Sequence, residues 1–330
     1  MAMKTAAIGG GVIGGGWIAR FLLNGHDVSV FDPHPDARRL VEEVVANAER
    51  AYRRMTDAPL PAKGSLVFVD SMAEAVRDAG YIQESVPERL DLKLKVLGEI
   101  DRHGGADALI GSSTSGFRPS VLVEGLGHPE RLLVAHPFNP VYLLPVVELV
   151  PSQATSAGAI ERAQAFLTGI GMKPLVVRAE IDGHIADRLL EAVWREALWL
   201  VRDGAATTQE IDDVIRYGFG LRWAQMGLFE TYRIAGGEAG MRHFISQFGP
   251  ALKWPWSRLT DVPDLTEELI DTIAAQSDEQ SGRYSIRELE RIRDDNLVAI
   301  LQALKANDWG AGATLKAYED GLLSKRAPAE

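Results

Sequence analysis

Residues 5–17 read Thr5-Ala6-Ala7-Ile8-Gly9-Gly10-Gly11-Val12-Ile13-Gly14-Gly15-Gly16-Trp17. A short apolar run breaks into glycine and resumes as the apolar stretch Trp17–Leu23, which is the pattern of a strand, a tight turn and a helix. Gly9, Gly11 and Gly14 form G-x-G-x-x-G. The first glycine permits the turn, the second lets backbone approach a pyrophosphate, and the third lets helix and strand pack closely. Glycine-rich turns also occur without a ligand, so the context has to decide. The next strand ends in Asp32, about twenty residues on, where a carboxylate accepts hydrogen bonds from an adenosine ribose. Gly9, Gly10, Gly11, Val12, Ile13, Gly14 and Asp32 are therefore the candidate dinucleotide site, with the helix N-terminus turned to the phosphates. A negative Asp32 repels a 2′-phosphate and favours NAD over NADP. Arg38 and Arg39 are expected on a solvent-facing helix.

Outward from this unit, short apolar runs alternate with amphipathic segments as far as residue 180. Strands are expected at Thr5–Ile8, Val28–Phe31, Leu66–Val69, Tyr81–Glu84, Ala108–Gly111, Leu132–His136, Val146–Val150 and Leu175–Val177. That alternation predicts a doubly wound, Rossmann-type parallel sheet with crossover helices over residues 1–180. Beyond Asp182 the strand signal stops. Leu189, Leu190, Val193, Trp194, Ala197, Leu198 and Val201 form one helical stripe closed by Gly204. Capping boxes at Ser71/Glu74, Thr207/Glu210 and Ser285/Glu288 each open a helix. Residues 181–330 thus read as an all-helical second domain for substrate binding and dimerisation, and the fold class is α/β followed by all-α. Gly249–Pro263, with Trp254, Pro255 and Trp256, reads as irregular.

Composition narrows the functional classes. The 330 residues carry 35 basic and 46 acidic side chains, a net charge of −11, which disfavours nucleic acid and anionic lipid as partners. The absence of cysteine removes disulfides, thiolate metal sites and a cysteine nucleophile, and no metal is expected. No apolar run reaches the ~18 residues of a membrane span, and the first strand begins almost at Met1, so no signal peptide is expected. A cytoplasmic, soluble protein acting on a small molecule is the reading that remains.

Between Ile110 and Val150 the polar residues carry a pattern. Ser112, Ser113, Thr114 and Ser115 follow a strand, His136 ends another before Pro137-Phe138-Asn139-Pro140, and Glu148 interrupts the apolar run Val146–Val150. A lone buried carboxylate is costly. Pairing with an imidazole would satisfy it and orient the ring as a proton-transferring base. A strand-end histidine taken alone is commonly an ordinary cap, and the three features together are what point to catalysis.

On these residues the sequence resembles the 3-hydroxyacyl-CoA dehydrogenase family, from the glycine turn to the helix opening at Gly183. The resemblance implies His136 as the base that removes the hydroxyl proton, Glu148 as its partner, and Ser115 and Asn139 at the substrate oxygen. It also implies Glu88, Lys93 and Ser113 at the nicotinamide half of NAD, and a homodimer. Two departures bear on substrate. Gly183-His184-Ile185-Ala186-Asp187-Arg188 replaces the family's usual substrate-side asparagine by Asp187. The long basic hairpin of the acyl-CoA enzymes is shortened over Glu49–Gly64, which contains Pro59 and Pro61. Both point away from a polyanionic thioester and toward a small cation.

The stretch Gly220-Leu221-Arg222-Trp223-Ala224-Gln225-Met226-Gly227 resembles that of the branch of the family acting on carnitine, a 3-hydroxy-4-trimethylammonio acid. Trp223, Phe229 and Tyr232, with Phe219, Phe244 and Phe248, would either cage the ammonium by cation–π contact or form the helical core and dimer interface. Arg188 or Arg222 would either hold the substrate carboxylate or make a structural ion pair. Two sister activities remain open: a lambda-crystallin-like L-gulonate 3-dehydrogenase and a short-chain 3-hydroxyacyl-CoA dehydrogenase. Intact His136 and Glu148 argue against a non-catalytic NAD-binding protein.

Overall fold

A computed structural model describes residues 3–236, 238, 240–250, 257, 264 and 266–325. In chain order its elements are β1 (Lys4–Ile8), α1 (Val12–Leu23), β2 (Asp27–Phe31), α2 (Ala37–Met55), β3 (Leu66–Phe68), α3 (Met72–Val76), β4 (Tyr81–Glu84), α4 (Leu90–His103), β5 (Leu109–Ser112), α5 (Pro119–Leu122), β6 (Leu132–Pro137), β7 (Val146–Pro151), α6 (Ala157–Gly169) and β8 (Lys173–Val176). Helices follow: α7 (Ala186–Arg202), α8 (Thr208–Val214), α9 (Gly220–Ala235), α10 (Gly240–Phe248), α11 (Glu267–Ser281), α12 (Ile286–Ala306) and α13 (Gly310–Ser324).

The strands form one eight-stranded sheet in the order β3-β2-β1-β4-β5-β6-β7-β8. The order reverses between β1 and β4, so the glycine turn after β1 lies at the switch point where such sheets bind ligands. Side chains alternate between the two faces with period two. Ala7, Val28, Val30, Leu133, Ala135, Val147 and Leu149 pack under α1, α2 and α6. Ala6, Ile8, Ile82, Ile110, Leu132, Val134 and Val150 pack under α3, α4 and α5.

The pairing departs from an all-parallel sheet at one edge. β7 runs antiparallel to β6, because the connection over residues 138–145 is too short for a crossover helix. This reversal sets His136 directly opposite Glu148 in the ladder.

By compactness the chain divides into Met1–Asp187 with Arg291–Glu330, and Arg188–Glu290. Most of α12 and all of α13 therefore count with the first unit, whereas the sequence division at residues 180/181 assigns them to the helical domain. The reason is packing: Val298, Leu301, Leu315, Tyr318 and Leu322 join the same core cluster as α1 and α2. In the second unit Thr207 and Glu210 make the expected reciprocal capping box, and Gly204 takes the left-handed conformation at φ +66°. The apolar stripe of α7 is only partly covered. Leu198 and Val201 are buried, while Leu189, Leu190, Val193 and Trp194 remain exposed. Trp254, Pro255, Trp256 and Pro263 lie outside the described residues.

Candidate active site

The glycine turn is built by close approach. Gly9 sits at φ +98°, and a Cβ on Gly14 would fall 1.9 Å from the Gly9 carbonyl oxygen. Around Gly11 an added Cβ would meet nothing within 4 Å, which leaves room at the start of α1 for a phosphate group. Asp32 holds the turn from the next strand. One carboxylate oxygen accepts from the Gly10 amide at 2.6 Å and the other from the His34 amide at 2.8 Å. Arg38 lies over the Phe68 ring and Arg39 pairs with Glu43 at 2.6 Å, so each has a protein partner in place of a 2′-phosphate. These residues fit NAD: an open glycine turn, a helix N-terminus without acidic residues in its first turn, and a carboxylate at the ribose position.

Beyond β4 and β5 a charged network fixes the neighbouring loops. Glu84 and Lys93 are fully buried and paired at 2.9 Å, with Lys93 also donating to the Val86 carbonyl at 3.1 Å. Glu84 also accepts from the Ser112 hydroxyl. Glu88 accepts from the amides of Ser115 and Gly116 at 3.1 and 3.0 Å and from the Thr114 hydroxyl, and so shapes the loop that carries Ser115. The Ser113 hydroxyl meets Trp17 Nε1, Gln83 Nε2 and the Ser85 hydroxyl within 3.2 Å. Lys93 and Ser113 therefore stand inside the network, while Ser115 is half-buried and Asn139, just beyond β6, is exposed.

The His136–Glu148 pair lies at the adjoining strands. His136 Nδ1 is 2.9 Å from Glu148 Oε2, with both side chains buried. A carboxylate only accepts, so Nδ1 carries the proton and donates, and Nε2 is left with its lone pair as a base. Glu148 Oε1 accepts from the amides of Ile185 and Ala186 at 3.0 and 3.1 Å. Burial pushes the Glu148 carboxyl up, but the His136 bond and these amides outweigh it and hold it below its ordinary value. The same bonds tie the start of α7 to the dyad. Asp187, in the first turn of α7, thereby places Oδ2 3.9 Å from His136 Nε2.

His184 completes the turn. It adopts φ +50°, is fully buried, and its Nε2 donates to the Thr114 carbonyl at 3.2 Å. Its ring centroid lies 5.5 Å from that of His136. Burial, and next the proximity of His136, hold its pKa below 6.5, so it is neutral at pH 7. The sequence reading passed over Glu84 and His184. Glu84 ends the strand expected at Tyr81–Glu84, whereas Glu148 lies inside its strand, and His184 stands in the Gly183–Arg188 opening without a local pattern that marks it as buried.

In the second unit Phe219 and Trp223 lie 4.5 Å apart between ring centroids, and Tyr232 stacks on Phe244 at 4.6 Å. Phe229 is 74% exposed, and Arg188 and Arg222 are exposed. Phe219 pairs with Trp223 and Tyr232 with Phe244 within this unit, without being sealed into a core.

Residues 4–181 match the model for the NAD-binding domain of 3-hydroxyacyl-CoA dehydrogenase, and residues 183–282 match that for its C-terminal domain. The chain belongs to the 3-hydroxyacyl-CoA dehydrogenase family. Within it, the L-carnitine dehydrogenase/betainyl-CoA thioesterase of Agrobacterium fabrum is 68% identical over 98% of this chain, which spans 66% of that relative. The L-carnitine dehydrogenase of Mesorhizobium japonicum is 60% identical over 99% of this chain and 92% of its own length. Among solved structures, the NAD+-dependent dismutase 5-formyl-3-hydroxy-2-methylpyridine 4-carboxylic acid 5-dehydrogenase shares the fold with a TM-score of 0.76 and 26% identity, over 92% of this chain and 99% of that one. No helix among the described residues is long and apolar enough to cross a membrane.

Proposed function

We propose that this chain oxidises the 3-hydroxyl of L-carnitine to give 3-dehydrocarnitine, with NAD as the acceptor. The observation that carries the reading is the His136–Glu148 bond, which leaves Nε2 as a free base in a chain 60–68% identical to relatives named as L-carnitine dehydrogenases. His136 Nε2 takes the hydroxyl proton as the carbinol carbon loses hydride. Glu148 stabilises the imidazolium that results and fixes the ring. Ser115 and Asn139 hold the substrate oxygen as its carbon becomes a carbonyl. Gly9–Gly14, Asp32 and the Glu88 loop hold the cofactor, and Lys93 and Ser113 keep that loop in place. Bound there, NAD supplies the hydride acceptor.

Residues 1–180 serve as the cofactor domain and residues 181–330 as the substrate and dimerisation domain. Taken by itself, the second unit offers the paired rings Phe219/Trp223 and Tyr232/Phe244, the kind of aromatic face that attracts an ammonium. The exposed apolar stripe of α7 supports a homodimer, and NAD chemistry on a small acid suits the cytoplasm. NADH formation is to be followed with NAD and L-carnitine, L-gulonate or 3-hydroxybutyryl-CoA. Turnover of L-carnitine above the other two is expected. Turnover of L-gulonate or the thioester without L-carnitine would overturn the assignment.

A further inference from the structure

The acid at position 187 stands where the chemistry of the substrate needs a negative charge. In carnitine the hydroxyl-bearing carbon and the ammonium nitrogen are separated by one methylene. The hydroxyl oxygen and the nitrogen are therefore held roughly 3–4 Å apart, depending on the staggered rotamer. A hydroxyl poised for proton transfer lies about 2.6–3.2 Å from the base. Whatever balances the ammonium must then lie in the immediate surroundings of His136 Nε2. Asp187 Oδ2 is 3.9 Å from that nitrogen, beyond a hydrogen bond, so Nε2 stays free for the hydroxyl while the carboxylate remains next to it. A trimethylammonium group has no N–H to donate. It needs a nearby charge without demanding directional bonds, and that is what this arrangement offers.

Glu148 and His184, the ionisable side chains that also lie against His136, are engaged elsewhere. Glu148 is already saturated by His136 and two amides. His184 is buried and donates to a backbone carbonyl, and its depressed pKa keeps it neutral. The carboxylate itself sits in the first turn of α7 with a side-chain exposure of 22%, at the positive end of the helix dipole. Its place is fixed, because the residues just before it are bonded to Glu148 and to the Thr114 loop.

We propose that Asp187 is the specificity-determining counter-ion of this site, selecting substrates that carry a permanent cation one methylene from the carbinol; the inference rests on the reading of L-carnitine as substrate. The test is a charge cycle. Wild type, Asp187→Asn and Asp187→Glu are assayed with L-carnitine and with the isostere of the same handedness that lacks the cation, 3-hydroxy-5,5-dimethylhexanoate, in which carbon replaces nitrogen. The wild type is expected to favour L-carnitine in kcat/KM by about tenfold or more. That preference should fall by about tenfold in Asp187→Asn, chiefly through KM, and be largely kept in Asp187→Glu. If Asp187→Asn lowers kcat/KM for both compounds by the same factor, Asp187 acts through His136 and the proposal is wrong. A wild-type preference near one also overturns it. A wild type that does not oxidise L-carnitine at all instead removes the substrate reading on which the inference rests.

Discussion

Glu148 holds a charge inside a buried strand because three donors surround it: the His136 ring and the amides of Ile185 and Ala186. They set its folded pKa below the ordinary 4.5. The unfolded chain therefore binds the extra proton first, and the stabilisation from Glu148 is complete above about pH 4.5 and lost as pH falls through the lower folded value. Glu148→Gln should flatten this acid limb, read as urea midpoints from neutral pH down to about pH 3. The same variant should lower kcat by about a hundredfold, because an amide can present either a donor or an acceptor to Nδ1 and no longer fixes the tautomer that leaves Nε2 basic. An acid limb as steep as that of the wild type, or a kcat within twofold of it, would count against the dyad. Both members were legible in the sequence, since a histidine at a strand end and an acid inside an apolar run are each unusual. His184 was harder to see, as its φ of +50° and its bond to Thr114 depend on a turn whose geometry no local pattern specifies.

At the scale of elements, the strands were readable to within a residue or two because buried parallel strands are short apolar runs bounded by turn residues. The direction of β7 was not readable in the same way. Val146–Pro151 has the composition of any buried strand, and only the short connection before it decides that it runs antiparallel. For α7 the periodicity announced an apolar face correctly but could not say what covers it. Within one chain Trp194 stays 53% exposed and Leu190 57% exposed, and a stripe of that size marks an interaction surface. With a second copy as the occupant, the wild type should sediment as a dimer at micromolar concentration. Trp194→Lys, which puts a charge into the stripe, should shift it toward monomer while leaving the far-UV dichroism intact. A monomeric wild type, or a variant that remains fully dimeric, would contradict this role for α7.

At the scale of the molecule, the first unit is a sheet whose carboxyl edge gathers the glycine turn, the Glu88 loop and the His136–Glu148 pair, with the end of the chain packed on its helices. The Ser285/Glu288 capping box marks the start of α12 without naming what the helix packs on. That partner is chosen by long-range pairs: Tyr142 with the fully buried Asp294, and Arg50 and Arg54 with Asp295. Because Tyr142 follows directly on the loop that carries Asn139, the last helices also brace the edge of the site. In the proposed mechanism His136 takes a proton from the substrate without contributing to cofactor binding. Single-turnover NADH formation from L-carnitine at saturating NAD, in wild type and His136→Gln, tests this most directly, with NAD affinity measured calorimetrically on both. The prediction is a fall of about a hundredfold or more in NADH formation, with NAD affinity unchanged within about twofold. A variant that forms NADH at nearly the wild-type rate, or that loses its hold on NAD, would contradict it.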